Sequence, residues 1–363
     1  MNPGPFRLSV AQASWMVFYL TVCVTPFSFS DFAVRSMGRW AWASMLPAIV
    51  VGLFGLGAVV VLRRRRPNAS VLEYAPEFMG RVGGWAYIFM LCLLFVTGAG
   101  ANLHVFVDML HTTLLPNLSE WWPSIAMAAL AGYVAFFGPE VITRAGEMLL
   151  VAVLPGLAGV LTLPWLNSVP GRLLPLTRVP WDKLFTNVQT ASIISACRGF
   201  LPLLVLAPMI QGRQMVGRTT AALLAGAMVI MVSFAIPIAV LGPDLAALFR
   251  FPLLDSIGTV AWTWLPFQRL GHLAALLWEG VTFVVVATYL WLGAALGGWL
   301  FLRGGWRPMV FAAAVVTLLL ASPVLDSEVQ KKLLTIWTVG VVALGAAVPV
   351  CLAIAAFRRR EKA

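Results

Sequence analysis

Between Arg7 and Asp31 the chain carries no charged residue. That stretch, roughly Leu8 to Phe32, is long enough to cross a hydrocarbon core about 30 Å thick. Yet Pro26 lies inside it, with Thr25 before and Ser28 after. Proline offers no backbone N–H, and its ring clashes with the carbonyl four residues back. Carbonyls near Val22 to Thr25 therefore lose intrahelical partners. In lipid such groups are tolerated only where protein, water or a ligand satisfies them. Two readings of the stretch stand here. It is a span broken near mid-membrane, the device by which many transporters build a binding site, or it is a simple proline kink.

The rest of the chain shares that environment. Of its 363 residues 61% are hydrophobic and only 11% charged, against about 25% charged in a soluble domain. Polar turns divide it into ten apolar spans. After the first come Trp40 to Leu62, then about 83–115, 123–137 and 144–166. A polar, proline-bearing loop from Asn167 to Asn187 follows. The second half has spans over about 188–210, 219–241, 273–302, 308–320 and 333–357. Ser70 and Glu73 form a capping box for a short surface helix to about Met79. Pro252 to Leu265 reads as an amphipathic surface helix between the seventh and eighth spans. The four cysteines lie far apart in apolar runs and make no metal spacing. No P-loop, HExxH or nucleophile elbow is present, so neither enzyme chemistry nor a cofactor is expected.

The net charge of +11 would fit nucleic acid, but its distribution fits a membrane. With the N-terminus in the cytoplasm, that side holds 15 of the 25 basic residues, Arg63 to Arg66 and Arg358 to Arg360 among them. The other side holds 9, and Arg198 lies within a span. This is the positive-inside bias, so no nucleic-acid partner is needed to explain the charge; the partner is the lipid bilayer. Both termini are then cytoplasmic. Cysteine-accessibility labelling at Lys362 and Lys183 should place the two on opposite faces; labelling of both from one side would contradict ten spans.

A five-span unit used twice must insert the second time inverted. The units are residues 1–166 and 188–363, within one polytopic membrane domain. If they are related in this way, the sixth span should also be interrupted. It contains Ser192, Ser195, Arg198, Gly199 and Pro202 close together in an apolar run. Interruption of both equivalent spans points to the binding site. The fold expected is all-α and integral to the membrane, about ten helices in a five-plus-five inverted repeat with broken first and sixth spans.

Candidate ligand-binding residues follow from that geometry. Thr25, Pro26, Phe27 and Ser28 of the first break would meet Ser192, Ser195, Arg198 and Gly199 of the sixth. Thr97, Gly98 and Gly100, midway along the third span, would lie opposite; glycines there admit a ligand or simply a neighbouring helix. On this reading Gly98→Leu fills the pocket and abolishes the response without loss of protein. Charges inside spans are costly and functional by default, which singles out Asp108, Arg198 and Glu279. Arg198 would hold a ligand carboxylate bidentately or pair internally with Asp108 or Glu279. Glu279, beside Trp278 and near Thr282, would line a vestibule or tie the eighth span to its neighbours.

Several stretches in order carry a family resemblance: Gly138-Pro139-Glu140-Val141-Ile142-Thr143-Arg144 after the fourth span, Phe251-Pro252-Leu253-Leu254-Asp255-Ser256-Ile257, Phe267-Gln268-Arg269-Leu270, and Leu277-Trp278-Glu279. With the ten-span layout, the chain resembles the B subunit of endospore germinant receptors. These are a branch of the amino acid–polyamine–organocation superfamily, with its LeuT/APC-like fold. The resemblance covers nearly the whole chain. It implies nutrient sensing in the spore inner membrane, with an amino acid or another small nutrient as ligand. It also implies an A-type membrane subunit and a C-type lipoprotein as partners. Arg198 departs from the mostly neutral or acidic sixth span that the resemblance would lead one to expect. Sodium-coupled relatives carry a hydroxyl pair on the eighth span. Thr282 and Thr288 are six apart and do not share a face. Proton-coupled relatives often carry a lysine on the fifth span, where this chain has none. Both differences favour a sensor over a coupled permease of the same fold.

Overall fold

The computed structural model describes residues 6–66, 69–174, 187–212, 214–260, 270–302 and 305–358. Among them, eight helical segments are long and apolar enough to cross a membrane. The shorter apolar helices Trp121–Phe137 and Arg307–Ala321 serve as the fourth and ninth spans. Helix is the outcome lipid dictates, because only a helix or a closed barrel satisfies every backbone group internally. The architecture is the five-plus-five inverted repeat, with its first and sixth spans broken.

The first span begins at Val10 behind a capping box, in which Ser9 accepts from Gln12 and Gln12 reaches back to the Ser9 N–H. Its first helix ends at Val22, and the chain resumes as the short helices Thr25–Ser28 and Ser30–Met37. The sixth span runs Asn187–Phe200, breaks at Leu201 and Pro202, and resumes over Leu203–Leu206. The two broken spans pack against each other, and the first also lies along the seventh, Met215–Val240. A two-residue parallel ladder, Leu8 with Ile210 and Ser9 with Gln211, ties the start of the first span to the end of the sixth. The third span packs along the eighth, Leu270–Phe301, and the ninth. The tenth is Ser327–Val342 and Val348–Arg358, joined by a π-helical turn.

Several boundaries move from the sequence expectation for local reasons. The Ser70–Glu73 box does cap a helix, but that helix continues into the third span as Val71–Thr113, with a sharp turn at Gly80 (φ 77°). A positive φ of that size costs glycine nothing and other residues a good deal. The fifth span starts earlier, at Pro139, because Gly138 (φ 100°) ends the fourth span directly before it. Of the expected surface helix from Pro252, Pro252–Gly258 is helical. Residues 261–269, most of the 167–187 loop and the labelling positions Lys183 and Lys362 lie outside the described residues.

Candidate functional site

The break in the first span is set by Pro26, although it opens three residues earlier. Pro26 opens the short Thr25–Ser28 helix, a position proline accepts readily. It has no N–H for the Val22 carbonyl. The chain turns at Cys23, the one non-glycine residue with positive φ (30°) among the described residues. Such a conformation stores on the order of 1–3 kcal/mol and collects at functional sites. The Cys23 carbonyl finds a side-chain donor instead of a helical one: Trp278 Nε1 of the eighth span, at 2.5 Å.

Arg198 fills the space between the two breaks. It is 1% exposed, the largest of the fully buried side chains. Its Nη2 donates to Thr25 Oγ1 at 2.5 Å and to Ser195 Oγ at 3.4 Å. Its Nη1 donates to Asn102 Oδ1 at 3.3 Å. Thr25 and Ser195 share a further hydrogen bond of 2.7 Å. Asn102 donates to the Gly98 carbonyl at 2.6 Å and accepts from Cys23 Sγ at 2.9 Å. The indole of Trp337, from the tenth span, lies 5.8 Å from the guanidinium carbon, within cation–π range.

Every acceptor around this arginine is neutral. No carboxylate lies within 4.0 Å of it among the described residues, and its Nε is buried without a hydrogen-bond partner. The expected internal salt bridge is therefore corrected. Asp108 pairs with Arg250 at 2.5 Å, near the end of the third span. Glu279 faces away from the centre. A guanidinium carries five N–H donors, and buried polar groups are almost always bonded. The Tyr289 hydroxyl and Ser28 Oγ are likewise buried and unpartnered. The site thus offers positive charge and free donors, the complement of an anion.

Aromatic side chains wall this space. Phe27 packs edge-on against Trp278, with ring centroids 4.8 Å apart. Gly98 faces Trp337 and Tyr289 so closely that a Cβ would lie 2.7 Å from Trp337 Nε1 and 2.9 Å from Tyr289 Cε2. Trp337 is fixed by donating to the Leu94 carbonyl at 3.0 Å. Thr25, Ser195, Phe27 and Tyr289 are all buried, so the site is closed in this structure.

The structure brings together part of the expected set. Thr25, Pro26, Phe27, Ser195, Arg198 and Gly98 converge. Thr282 lies one turn from Trp278, and its hydroxyl donates to the Trp278 carbonyl at 3.3 Å. Ser192 lies one turn away and bonds Ser44 of the second span at 2.9 Å. Gly199 is where the sixth span meets the first, since a Cβ there would fall 2.1 Å from Thr21 Oγ1. Gly100 packs on Leu320 of the ninth span. Thr97 lines a cavity of about 430 Å³ with His104 and Asp108, apart from the central site. Arg250 borders that cavity and a second one of about 670 Å³ that also holds Asp255 and His272; burial raises the Asp255 carboxyl above the usual range. Glu279 lines a lateral cleft between the fourth, fifth and eighth spans. Sequence reasoning missed Cys23, Asn102, Trp278, Tyr289 and Trp337. Two of these left a signal: Asn102, an amide in the middle of a span one turn beyond Gly98, and Trp278, within one of the stretches that carry the family resemblance.

The family model described as spore germination protein matches residues 7–329. The chain belongs to the spore germination protein family. Spore germination protein KB of Bacillus subtilis (strain 168) is 26% identical over 265 residues, 70% of this chain and 68% of its own length. Spore germination protein GerQB of Bacillus cereus is 23% identical over 156 residues, 40% of this chain and 41% of its own. Among solved structures, this family member is similar to MhsT in complex with L-phenylalanine, with a TM-score of 0.68, 12% identity and coverage of 96% of this chain and 88% of that one. It is similar to a substrate-bound Na+-coupled sialic acid symporter, with a TM-score of 0.69, 12% identity and coverage of 95% and 80%. The nucleobase-cation-symport-1 transporter Mhp1 in a closed conformation gives a TM-score of 0.56 at 16% identity, covering 96% and 80%. These likenesses show a LeuT-type transporter fold for this spore germination protein.

Proposed function

We propose that the chain is the nutrient-sensing membrane subunit of a spore germination receptor. On this reading it acts in the spore inner membrane, beside an A-type membrane subunit and a C-type lipoprotein. Its ligand is a small nutrient bearing a carboxylate, most simply an amino acid, bound where the first and sixth spans break. The observation that carries this reading is Arg198, buried among neutral acceptors with Nε unpartnered. A ligand carboxylate would replace Thr25 and Asn102 as the partner of the guanidinium, exchanging neutral hydrogen bonds for stronger charge-assisted ones. The Val22 carbonyl freed by Pro26 is an acceptor for the ligand ammonium. A ligand shifts a conformational equilibrium only by its differential affinity for the two states. Binding that draws Arg198 away from the first span supplies such a difference.

Likeness to cation-coupled symporters favours a second reading, an ion-coupled amino acid permease. The eighth span supports it poorly. The hydroxyls of Thr282 and Thr288 donate to carbonyls of their own helix, Trp278 and Val284, and stand on different faces. The expected result is that purified protein in liposomes binds an amino acid, with or without sodium, and does not accumulate it against a gradient. Sodium- or proton-driven uptake would establish the permease instead.

A further inference from the structure

Glu279 has no part in the central constellation, yet it lies at the same depth. Its neighbour Trp278 bonds the Cys23 carbonyl at the break itself, which places this turn of the eighth span near mid-membrane. Successive helix residues point about 100° apart, so Trp278 faces inward and Glu279 sideways. Its carboxyl enters a lateral cleft of about 550 Å³. No described residue gives it a hydrogen bond or an ion pair. The cleft is otherwise apolar, and its rim is open: Met148 is 79% exposed, Leu130 54% and Leu276 51%. Ala126, Ala145 and Gly280 also line it, and small residues let another helix approach closely.

A carboxyl at this depth is costly in lipid unless a partner meets it. From these observations we infer that the cleft between the fourth, fifth and eighth spans docks a transmembrane helix of a different polypeptide. That helix carries a lysine or arginine at mid-membrane depth, which pairs with Glu279. Charge complementarity selects this occupant over a second copy of the chain. Among the described residues the one lysine or arginine at that depth is Arg198, which is buried at the centre; His104, two residues beyond Asn102, lines the separate cavity with Thr97 and Asp108. Arg144 sits near the cytoplasmic end of its span beside Glu140, at 4.0 Å. Small residues in the cleft and aliphatic residues on its rim match the apolar face of such a helix, with the ion pair fixing its register.

The test places a photo-crosslinking residue at Met148, and a control at Phe311 on the ninth span, which is 67% exposed. The full-length protein is irradiated in membranes of cells expressing it together with the other germination proteins. The expected result is a discrete adduct at Met148 and none at Phe311. The attached peptide should come from a membrane helix of another polypeptide with a lysine or arginine inside its span. Glu279→Gln, nearly isosteric, should lower the yield about tenfold at equal protein level. Glu279→Lys should abolish the adduct, and changing the partner's basic residue to glutamate should restore it. Adducts to lipid alone, adducts to a second copy, equal yield at both positions, or a yield indifferent to Glu279→Gln and Glu279→Lys would overturn the inference.

Discussion

Arg198→Met should weaken nutrient binding by about 100-fold or more while leaving the folded protein at least as stable as the parent. The guanidinium is 1% exposed and has no anionic partner within 4.0 Å among the described residues, so the native state bears its desolvation. That penalty is several kcal/mol for a buried ion, and replacing buried charge with apolar volume is often neutral or stabilising. The groups left behind keep partners. Thr25 and Ser195 remain bonded to each other, and Asn102 Oδ1 still accepts from Cys23. Methionine's flexible thioether fills the vacated stem. Binding behaves oppositely. Hydrogen bonds to a charged group contribute about 1.5–3 kcal/mol each. Losing a bidentate pair should therefore weaken affinity by about 100-fold or more, at about 1.4 kcal/mol per tenfold. Arg198→Lys should recover only part of this, because an ammonium cannot present two parallel donors. Titration of intrinsic tryptophan fluorescence, with a thermal melt on the same samples, measures both halves. An unchanged dose–response in Arg198→Met would remove this residue from the site.

Gly98→Ala and Gly100→Ala form the second test, with a large and contrasting outcome. The sequence alone suggests that Gly98→Leu would fill an open pocket at no cost to the protein. The structure shows that the space is already taken. A Cβ at Gly98 meets Trp337 and Tyr289 at 2.7 and 2.9 Å, and one at Gly100 meets Leu320 Cβ at 2.7 Å. Both alanine variants overpack a helix contact, so each should lower stability by roughly 1–3 kcal/mol. Only Gly98→Ala pushes on the indole beside Arg198 and on the aromatic wall of the site. It should weaken binding more than tenfold, whereas Gly100→Ala should leave affinity within about twofold. Gly98→Leu should not accumulate as folded protein. Equal binding losses in the two alanine variants would mean that the effect is global destabilisation rather than a disturbed site.

Much of the fold is legible because lipid leaves the chain few options. Uninterrupted apolar runs mark the spans, arginine clusters mark their ends, and Pro26 and Pro202 mark the two breaks. The site is legible only along each span. Thr25 and Ser195 were foreseeable because both breaks were. Helix phase explains the misses. Gly98 and Gly100 differ by about 200° around their helix and Trp278 and Glu279 by about 100°. Neither pair can face one site together, and periodicity in an all-apolar span does not say which member turns inward. Arg198's partners were out of reach for another reason. Asn102 and Thr25 lie 96 and 173 residues away in sequence. The packing of the two broken spans on each other brings Thr25 to Arg198, and the third span brings Asn102.

If Arg198 receives a ligand carboxylate as proposed, removing the anion from the ligand should remove most of the affinity. The twenty standard amino acids are titrated into the purified full-length protein in sodium-free buffer, and each one that binds is compared with its carboxamide. The carboxamide keeps the size, the ammonium and the side chain but cannot offer an anion to the guanidinium. At least one amino acid should bind, and its carboxamide should bind about 100-fold more weakly. Equal affinity for an amino acid and its carboxamide, or binding that requires sodium, would contradict the proposal.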